Sequence, residues 1–348
     1  MSSFKLKWHK LTHWEYWPLW AVYYPLFPVW LFFSLKARSF FFFNTANPLM
    51  KNGGMAMESK KEIYDMIPEE YIPKTVLIEK ESVTIDSVEK LLSEMNLQYP
   101  LIAKPDIGMK AFGVDKIKSK SDLESYINRT PEDFLIQEFI AYPDEVGIFY
   151  VRVPGEEKGK ITGIVAKEFL SVTGDDRSSI LQLIKQNPRS HLQLKALVKK
   201  FGNKLDTVLK DGEEFILVPY GSHTRGAKFI DRSNRNNKDL ENLIDGICTQ
   251  IPEFYYGRLD VLYADFDGLS KGNDFKIIEI NGAGGEATHI YDPKHSLFFA
   301  WKEIFKHWNY LCKISIINHK RGYPYLSFKD GRAMLKANSL LEEQLKLV

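Results

Sequence analysis

From Trp17 to Leu35 the chain runs nineteen residues without a charge, long enough to cross the hydrocarbon core of a bilayer as a single helix. Pro18, Pro25 and Pro28 argue against that outcome. Each removes a helical donor, and the last two fall where a spanning helix would have its middle. A cleaved secretory signal is also disfavoured, because no small-residue cleavage site follows and Lys36 and Arg38 come directly after the apolar run. The Trp, Tyr and Phe residues crowded between Trp14 and Phe43 leave two readings. Their rings rest at the headgroup zone of a membrane, or they form an aromatic plug on the protein's own core.

With 348 residues, 44% hydrophobic and 26% charged, the chain can bury one large core or two to three smaller ones. Lys and Arg number 47 against 45 Asp and Glu, so there is no basic excess of the kind a nucleic-acid partner requires, and none is expected. Cys248 and Cys312 form no CxxC pair, which points away from a zinc site or a disulfide framework and towards a reducing cytosol.

Asn47-Pro48 and the turn cluster Lys51 to Gly54 end the aromatic layer. Beyond it, apolar spacing predicts helices over Glu58 to Met66, Ser87 to Met95, Ser121 to Asn128 (capped by Ser121), Ser178 to Lys185, Leu192 to Lys200 and Ser296 to Leu311. Short alternating or apolar runs predict strands at Val76 to Ile78, Leu101 to Lys104, Val114 to Ile117, Phe134 to Ile140, Val146 to Val153, Ile161 to Leu170, Glu214 to Val218, Arg258 to Ala264 and Phe275 to Ile280. The last two are expected to join through a hairpin at Asp267-Gly268. An α+β fold follows, with an antiparallel sheet at its centre.

The strongest chemical constellation lies in Gly257-Arg258-Leu259-Asp260-Val261 and Ile277-Ile278-Glu279-Ile280-Asn281-Gly282. On neighbouring strands Asp260 faces Glu279, and Asn281 shares a side with Glu279 because strand side chains repeat every two residues. Three hard oxygen donors of this kind suit Mg²⁺ that also takes phosphate oxygens and water.

Pro100-Leu-Ile-Ala-Lys104-Pro105, followed by a loop with Gly108 and by Gly113-Val114, resembles the nucleotide-binding strand-loop-strand of ATP-grasp enzymes. The resemblance runs from about Glu58 to Pro293, and is similar to D-alanine–D-alanine ligases and to the cyanophycin-synthetase and glutamate-cysteine-ligase branch. It implies an ATP-grasp fold of two α+β subdomains clasping ATP, here behind a short aromatic N-terminal segment. It also implies that Lys60 and Lys104 contact nucleotide phosphates, that Glu138, Phe139, Ile140 and Ala141 form the adenine linker, and that Glu145 holds the ribose hydroxyls. Lys167 is a further phosphate contact in the same scheme. Asp260, Glu279 and Asn281 become the metal ligands.

Within Ser222-His223-Thr224-Arg225-Gly226, Arg225 is placed to hold a substrate carboxylate or the transferred phosphate as a bidentate donor. Asn281-Gly-Ala-Gly-Gly285, with Arg258 beside it, offers backbone donors of which Gly285 is one to a developing oxyanion, or is simply a loop whose glycines serve positive φ. His289 and Tyr291 line an acceptor pocket or pack. Val172-Thr173-Gly174-Asp175-Asp176 resembles a turn of the cyanophycin-synthetase branch but has Asp176 where glycine is usual.

The expected division is an aromatic segment over 1–54, an N-terminal lobe over 55–140, a C-terminal lobe with the metal site over 141–312, and an extension over 313–348. Ligases of this type carry a Rossmann-like domain ahead of the lysine helix, whereas here only the aromatic segment precedes Lys60. The resemblance implies an ATP- and Mg²⁺-dependent ligase joining a small-molecule or lipid-like carboxylate to an amine through an acyl-phosphate. It would be cytoplasmic, with residues 14–43 attaching it to the cytosolic face of a membrane. A kinase acting on a small molecule and a nucleotide-binding peripheral membrane protein without turnover are the rival readings.

Overall fold

Strands of three to five residues, most of them rich in Ile, Leu and Phe, build the smaller of two main sheets. β1 (Thr75–Ile78), β2 (Leu101–Pro105), β3 (Asp115–Ile117) and β4 (Phe134–Glu138) pair antiparallel in the order β1-β4-β2-β3. One face is covered by α5 (Ile85–Glu94) and α6 (Lys120–Arg129), whose Val88, Leu92, Leu123, Tyr126 and Ile127 recur at helical spacing and close a core with Leu101, Ala103 and Ile136. Thr84 and Ser87 form a capping box at the start of α5. The cap of α6 is Ser119, which accepts from the Asp122 amide, and not the expected Ser121. The computed structural model describes residues 3–218, 221 and 223–346.

The larger sheet joins β5 (Asp144–Val151), β6 (Lys160–Glu168), β9 (Lys228–Asp231), β10 (Tyr256–Tyr263) and β11 (Phe275–Asn281) in the order β11-β10-β5-β6-β9. β5 is buried on both faces, which explains its unbroken apolar reading. α10 (Lys238–Gln250) covers one side through Leu240, Ile244, Ile247 and Cys248. α4 (Lys60–Tyr64) belongs to this core as well: Ile63, Tyr64 and Ile67 pack with Ile148 and Leu259. The residues expected as one lobe over 55–140 therefore do not pack as one unit, since α4 goes with the large sheet. A third, two-stranded sheet of β7 (Leu170–Thr173) and β8 (Glu214–Val218) carries α7 (Ile180–Gln186), α8 (Pro188–Leu192) and α9 (Leu194–Phe201) on a core of its own. The α+β expectation holds, with two sheets facing one another. The expected hairpin at Asp267-Gly268 is instead α11 (Phe266–Ser270), because Asp265 caps the Gly268 amide and starts a helical turn.

The prolines break the uncharged N-terminal run as anticipated. After α1 (Ser3–Thr12) come α2 (Leu19–Tyr23), a 3-10 turn at Tyr24–Leu26, and α3 (Phe27–Ala37). Among the described residues no helix is long and apolar enough to cross a membrane. The inward half of the segment is a plug: Phe33, Phe41, Phe42 and Phe43 are buried with Phe149, Tyr256 and Leu311, and Trp30 stacks on Phe42 at 4.8 Å. Its main partner is α12 (Leu297–Lys320), which runs unbroken through residue 312 and so replaces the expected domain boundary there. α13 (Phe328–Leu345), which local sequence reading left out, packs Gly331 against the Phe41 ring and reaches Lys110 through Glu342 at 2.8 Å.

Asn47 ties this segment to the large sheet. Its Nδ2 donates to Gly53 O (3.0 Å) and Tyr256 O (2.8 Å), while its Oδ1 accepts from the amides of Tyr255 (2.9 Å) and Tyr256 (3.0 Å). The side chain is wholly buried with both ends satisfied. Asn47→Leu would strand three buried backbone groups, Gly53 O keeping the Ala283 amide, and an unfolding titration is expected to show a loss of about 3–5 kcal/mol. A loss below about 1 kcal/mol would mean that the hub is dispensable.

Candidate active site

A cleft of about 1960 Å³ opens between the two sheets. The stretch 139–143 is its hinge side, since it leads from β4 in the small sheet to β5 in the large one. Glu138, Phe139 and Ile140 line the cleft, whereas Ala141 does not. Lys116 from β3 sets its ammonium 3.4 Å from the centre of the Phe139 ring, so the linker wall is half aromatic and half cationic.

On the opposite wall the β10–β11 register pairs Asp260 with Glu279 and Arg258 with Asn281, which puts all four side chains on one face. A bulge follows between Asp260 and Val261. Arg258 grips Asp260 with Nε (2.8 Å) and Nη2 (3.0 Å), and Lys167 from β6 reaches the same carboxylate at 3.1 Å. Burial alone would raise the Asp260 carboxyl, but Arg258 and Lys167 outweigh it and hold it down at about 2. Lys167 also donates to Glu145 at 2.5 Å, in a site where both side chains are buried. The lysine assigned to phosphate and the acid assigned to ribose are thus paired with each other. Glu279 differs from Asp260, as no side-chain hydrogen bond or ion pair engages its carboxylate among the described residues.

Lys104 crosses from the small sheet towards that pair. Its ammonium donates to Tyr64 Oη (2.7 Å), Gln137 Oε1 (3.0 Å) and Ile278 O (3.3 Å), the last of these beside Glu279. Burial lowers this lysine to about 8, with the Glu279 charge pulling the other way. Lys60, the first residue of α4, donates to the carbonyls of Asp106 (3.3 Å) and Gly108 (3.0 Å) and so fastens the loop between β2 and β3. Arg225 lines the same cleft with its guanidinium 5.4 Å from the centre of the Phe112 ring. Ser222 of that polar motif lies outside the described residues.

The glycine turn after β11 does something other than expected. The amides of Ala283, Gly284 and Gly285 donate to Gly53 O, Gly54 O and Gly282 O, so they are engaged and not aimed at an oxyanion. Nor is positive φ the reason for these glycines. A Cβ on Gly282 would stand 2.5 Å from Gly53 O and one on Gly284 2.5 Å from Met55 O, so only glycine admits the N-terminal turn this closely. Asp176, by contrast, adopts φ +59, the left-handed conformation in which glycine is usual. His289 and Tyr291 are buried away from the cleft, His289 beside Glu303 at 3.6 Å and Tyr291 on Glu286 at 3.2 Å. They pack and do not line an acceptor pocket.

Two cleft residues, Gln137 and Glu58, and the buried Tyr64 belong to no motif of their own. Gln137 bridges Lys104 to Thr75, Tyr64 links Lys104 to Ile278, and Glu58 presents a buried carboxylate oxygen without a hydrogen-bond partner. Burial raises the Glu58 carboxyl, and the nearby Glu279 charge adds to the effect. Glu58 stands two residues ahead of Lys60, and proximity to that lysine was the available clue.

No three His, Cys, Asp or Glu side chains cluster as a metal cage among the described residues. The donor set instead consists of two carboxylates and one amide on adjacent strands, which suits a cation that completes its shell with phosphate and water. Glu279 meets that need as it stands. Asp260 already accepts from Arg258 and Lys167 and, at 3.5 Å, from Asn281 Nδ2, so it would fit only with Lys167 turned to an incoming anion.

Solved ligase structures match this chain. The bifunctional glutathione synthetase from Pasteurella multocida is 14% identical, with 73% of this chain and 38% of that chain covered and a TM-score of 0.39. For the VanG D-Ala:D-Ser ligase from Enterococcus faecalis the figures are 16%, 77%, 62% and 0.42. For a D-alanine–D-alanine ligase from Bacillus anthracis they are 14%, 78%, 72% and 0.43. The chain therefore spans less than two thirds of the first two proteins. No family model and no curated protein matches the sequence.

Proposed function

We propose that this chain is an ATP-grasp ligase that joins a carboxylate to an amine. The observation that carries the reading is the meeting in one cleft of Lys60 and Lys104 from one side with Asp260, Glu279 and Asn281 from the other. Two cations offset triphosphate charge, and the base rests against the 138–141 linker with Glu145 towards the ribose. Asp260, Glu279 and Asn281 would hold Mg²⁺, which would supply charge neutralisation for the outer phosphates. Lys167 leaves its acid partners for phosphate. A carboxylate oxygen of the substrate, oriented by Arg225, attacks the γ-phosphorus and releases ADP. The amine then attacks the acyl carbon, its proton passes to solvent or to a cleft carboxylate, and inorganic phosphate departs. Arg258, fixed on Asp260 and donating to Glu286 O at 3.1 Å, is a cation available to the charge that develops in that second step. The donor or acceptor is one met at a lipid surface on the cytosolic side, a reading supported by the aromatic residues that remain outside the plug.

Calorimetry is expected to show heat on titration of ATP with Mg²⁺, and ADP release is expected to depend on both an amine and a carboxylate from a panel that includes lipid extracts. Absence of heat and of any thermal shift at about 10 mM ATP, above the roughly 1 μM to 1 mM range of ordinary substrate constants, would overturn nucleotide binding. ADP release that ignores amines would point to a kinase.

A further inference from the structure

The N-terminal segment buries only one side of itself. On α2 and the turn after it, Trp20 and Tyr24 are 72% and 76% exposed; on α3, Leu35 is 79% exposed and Phe27, Leu31 and Phe32 are exposed beside it. These positions alternate with the buried Phe33, Ser34 and Ala37, so α3 is apolar on both faces although only one meets the core. α12 extends the same surface. Its outward stripe of Phe298 (77% exposed), Lys302 and Phe305 runs alongside: Phe305 lies 5.5 Å from the Phe33 ring, Phe298 lies 5.6 Å from Trp301, and Trp301 Nε1 donates to Val22 O at 3.0 Å. Two elements far apart in sequence thus build one exposed aromatic surface, larger in extent than scattered surface hydrophobics require.

Its charges select the occupant. α2 and α3 hold no acid, the one acid of the neighbouring α12 turn, Glu303, is buried on the opposite side, and the cations Lys36, Arg38 and Lys302 lie exposed within or at the border. A two-fold contact with a second copy would set these cations against their own counterparts with no carboxylate on the face to pair them. An anionic lipid surface pairs them all, while the Trp and Tyr rings take the headgroup boundary and the Phe and Leu side chains go deeper.

We infer that the outer faces of α2, α3 and α12 together form a docking surface for an anionic membrane, with α3 lying in the plane of the interface. The inference deepens the membrane part of the proposed function and stands apart from the chemistry of the cleft, so the two fail separately.

Flotation of the full chain with vesicles of phosphatidylcholine alone, and of phosphatidylcholine mixed with phosphatidylglycerol, tests it. The protein is expected to float with the mixed vesicles and to be released by salt. Trp20→Ser combined with Phe32→Ser and Phe298→Ser is expected to weaken binding at least about ten-fold, with thermal melting and ADP release unchanged because all three side chains are exposed and outside the cleft. Lys36→Gln, Arg38→Gln and Lys302→Gln are each expected to weaken binding to the mixed vesicles about five-fold, the equivalent of about 1 kcal/mol per cation. Wild-type protein that stays at the bottom of the gradient would overturn the inference. So would serine variants that float like wild type, or a wild-type dimer in sedimentation that the serine substitutions convert to monomer.

Discussion

Glu279→Gln is expected to fold like the parent and to lose turnover by about 100- to 1,000-fold, measured as amine-dependent ADP release at saturating ATP. The side chain supports no hydrogen bond or ion pair within the described protein, so its replacement leaves packing untouched, and melting should move by less than about 1 kcal/mol. What would be lost is one of the two carboxylates proposed to offset the metal's charge, together with the charge that helps keep Lys104 protonated. A variant with near-parental ADP release would mean that the metal is held elsewhere. The corresponding change at Asp260 is a poorer test, because it would leave Arg258 and Lys167 buried without their shared acid.

The second large effect is expected at Lys104. Lys104→Met should weaken ATP binding by about 10- to 100-fold in calorimetry, as expected for losing a buried charged donor to phosphate. The sign of the pH dependence is set by burial, which brings this lysine to about 8 in the free protein. A bound triphosphate favours the ammonium and raises its pKa. Affinity is therefore full below about pH 8 and falls as the pH rises through that value, by up to about ten-fold per unit, until the pKa of the complex is reached. The Met variant should show no decline over the same alkaline range. An affinity that is flat in the parent, or that falls equally in the variant, would remove Lys104 from the phosphate site.

Much of the site was legible because it depends on local period. Alternation in Arg258-Leu-Asp260 and in Glu279-Ile-Asn281 places these side chains on one face of their strands, and adjacency of β10 and β11 then brings them together. Lys104 was legible in another way, through the resemblance of Pro100 to Pro105 and the glycine loop after it to a nucleotide-binding strand-loop-strand, since a lone lysine on a short strand carries no such signal. Local pattern said less about what each group touches. Nothing near Lys167 in the chain indicates that its ammonium joins Glu145 to Asp260, and nothing near Gly282 or Gly284 indicates that Gly53 and Met55 press against them. For the glycines, the local explanation of positive φ was the wrong one.

The sequence by itself determined most of the strands, though not β9 or the break between β6 and β7, together with the carboxylate pair and the failure of the uncharged N-terminal run to become one helix, because side-chain alternation and the missing proline donors act within a few residues. Tertiary structure alone decided that α4 belongs to the core of the large sheet, that α13 returns to Lys110 beside the glycine loop, and that the aromatic segment is half plug and half exposed surface. Those outcomes turn on which faces meet after the chain has closed loops of hundreds of residues. A phenylalanine on α3 carries the same local signal whether α12 covers it, as at Phe33, or leaves it bare, as at Phe32.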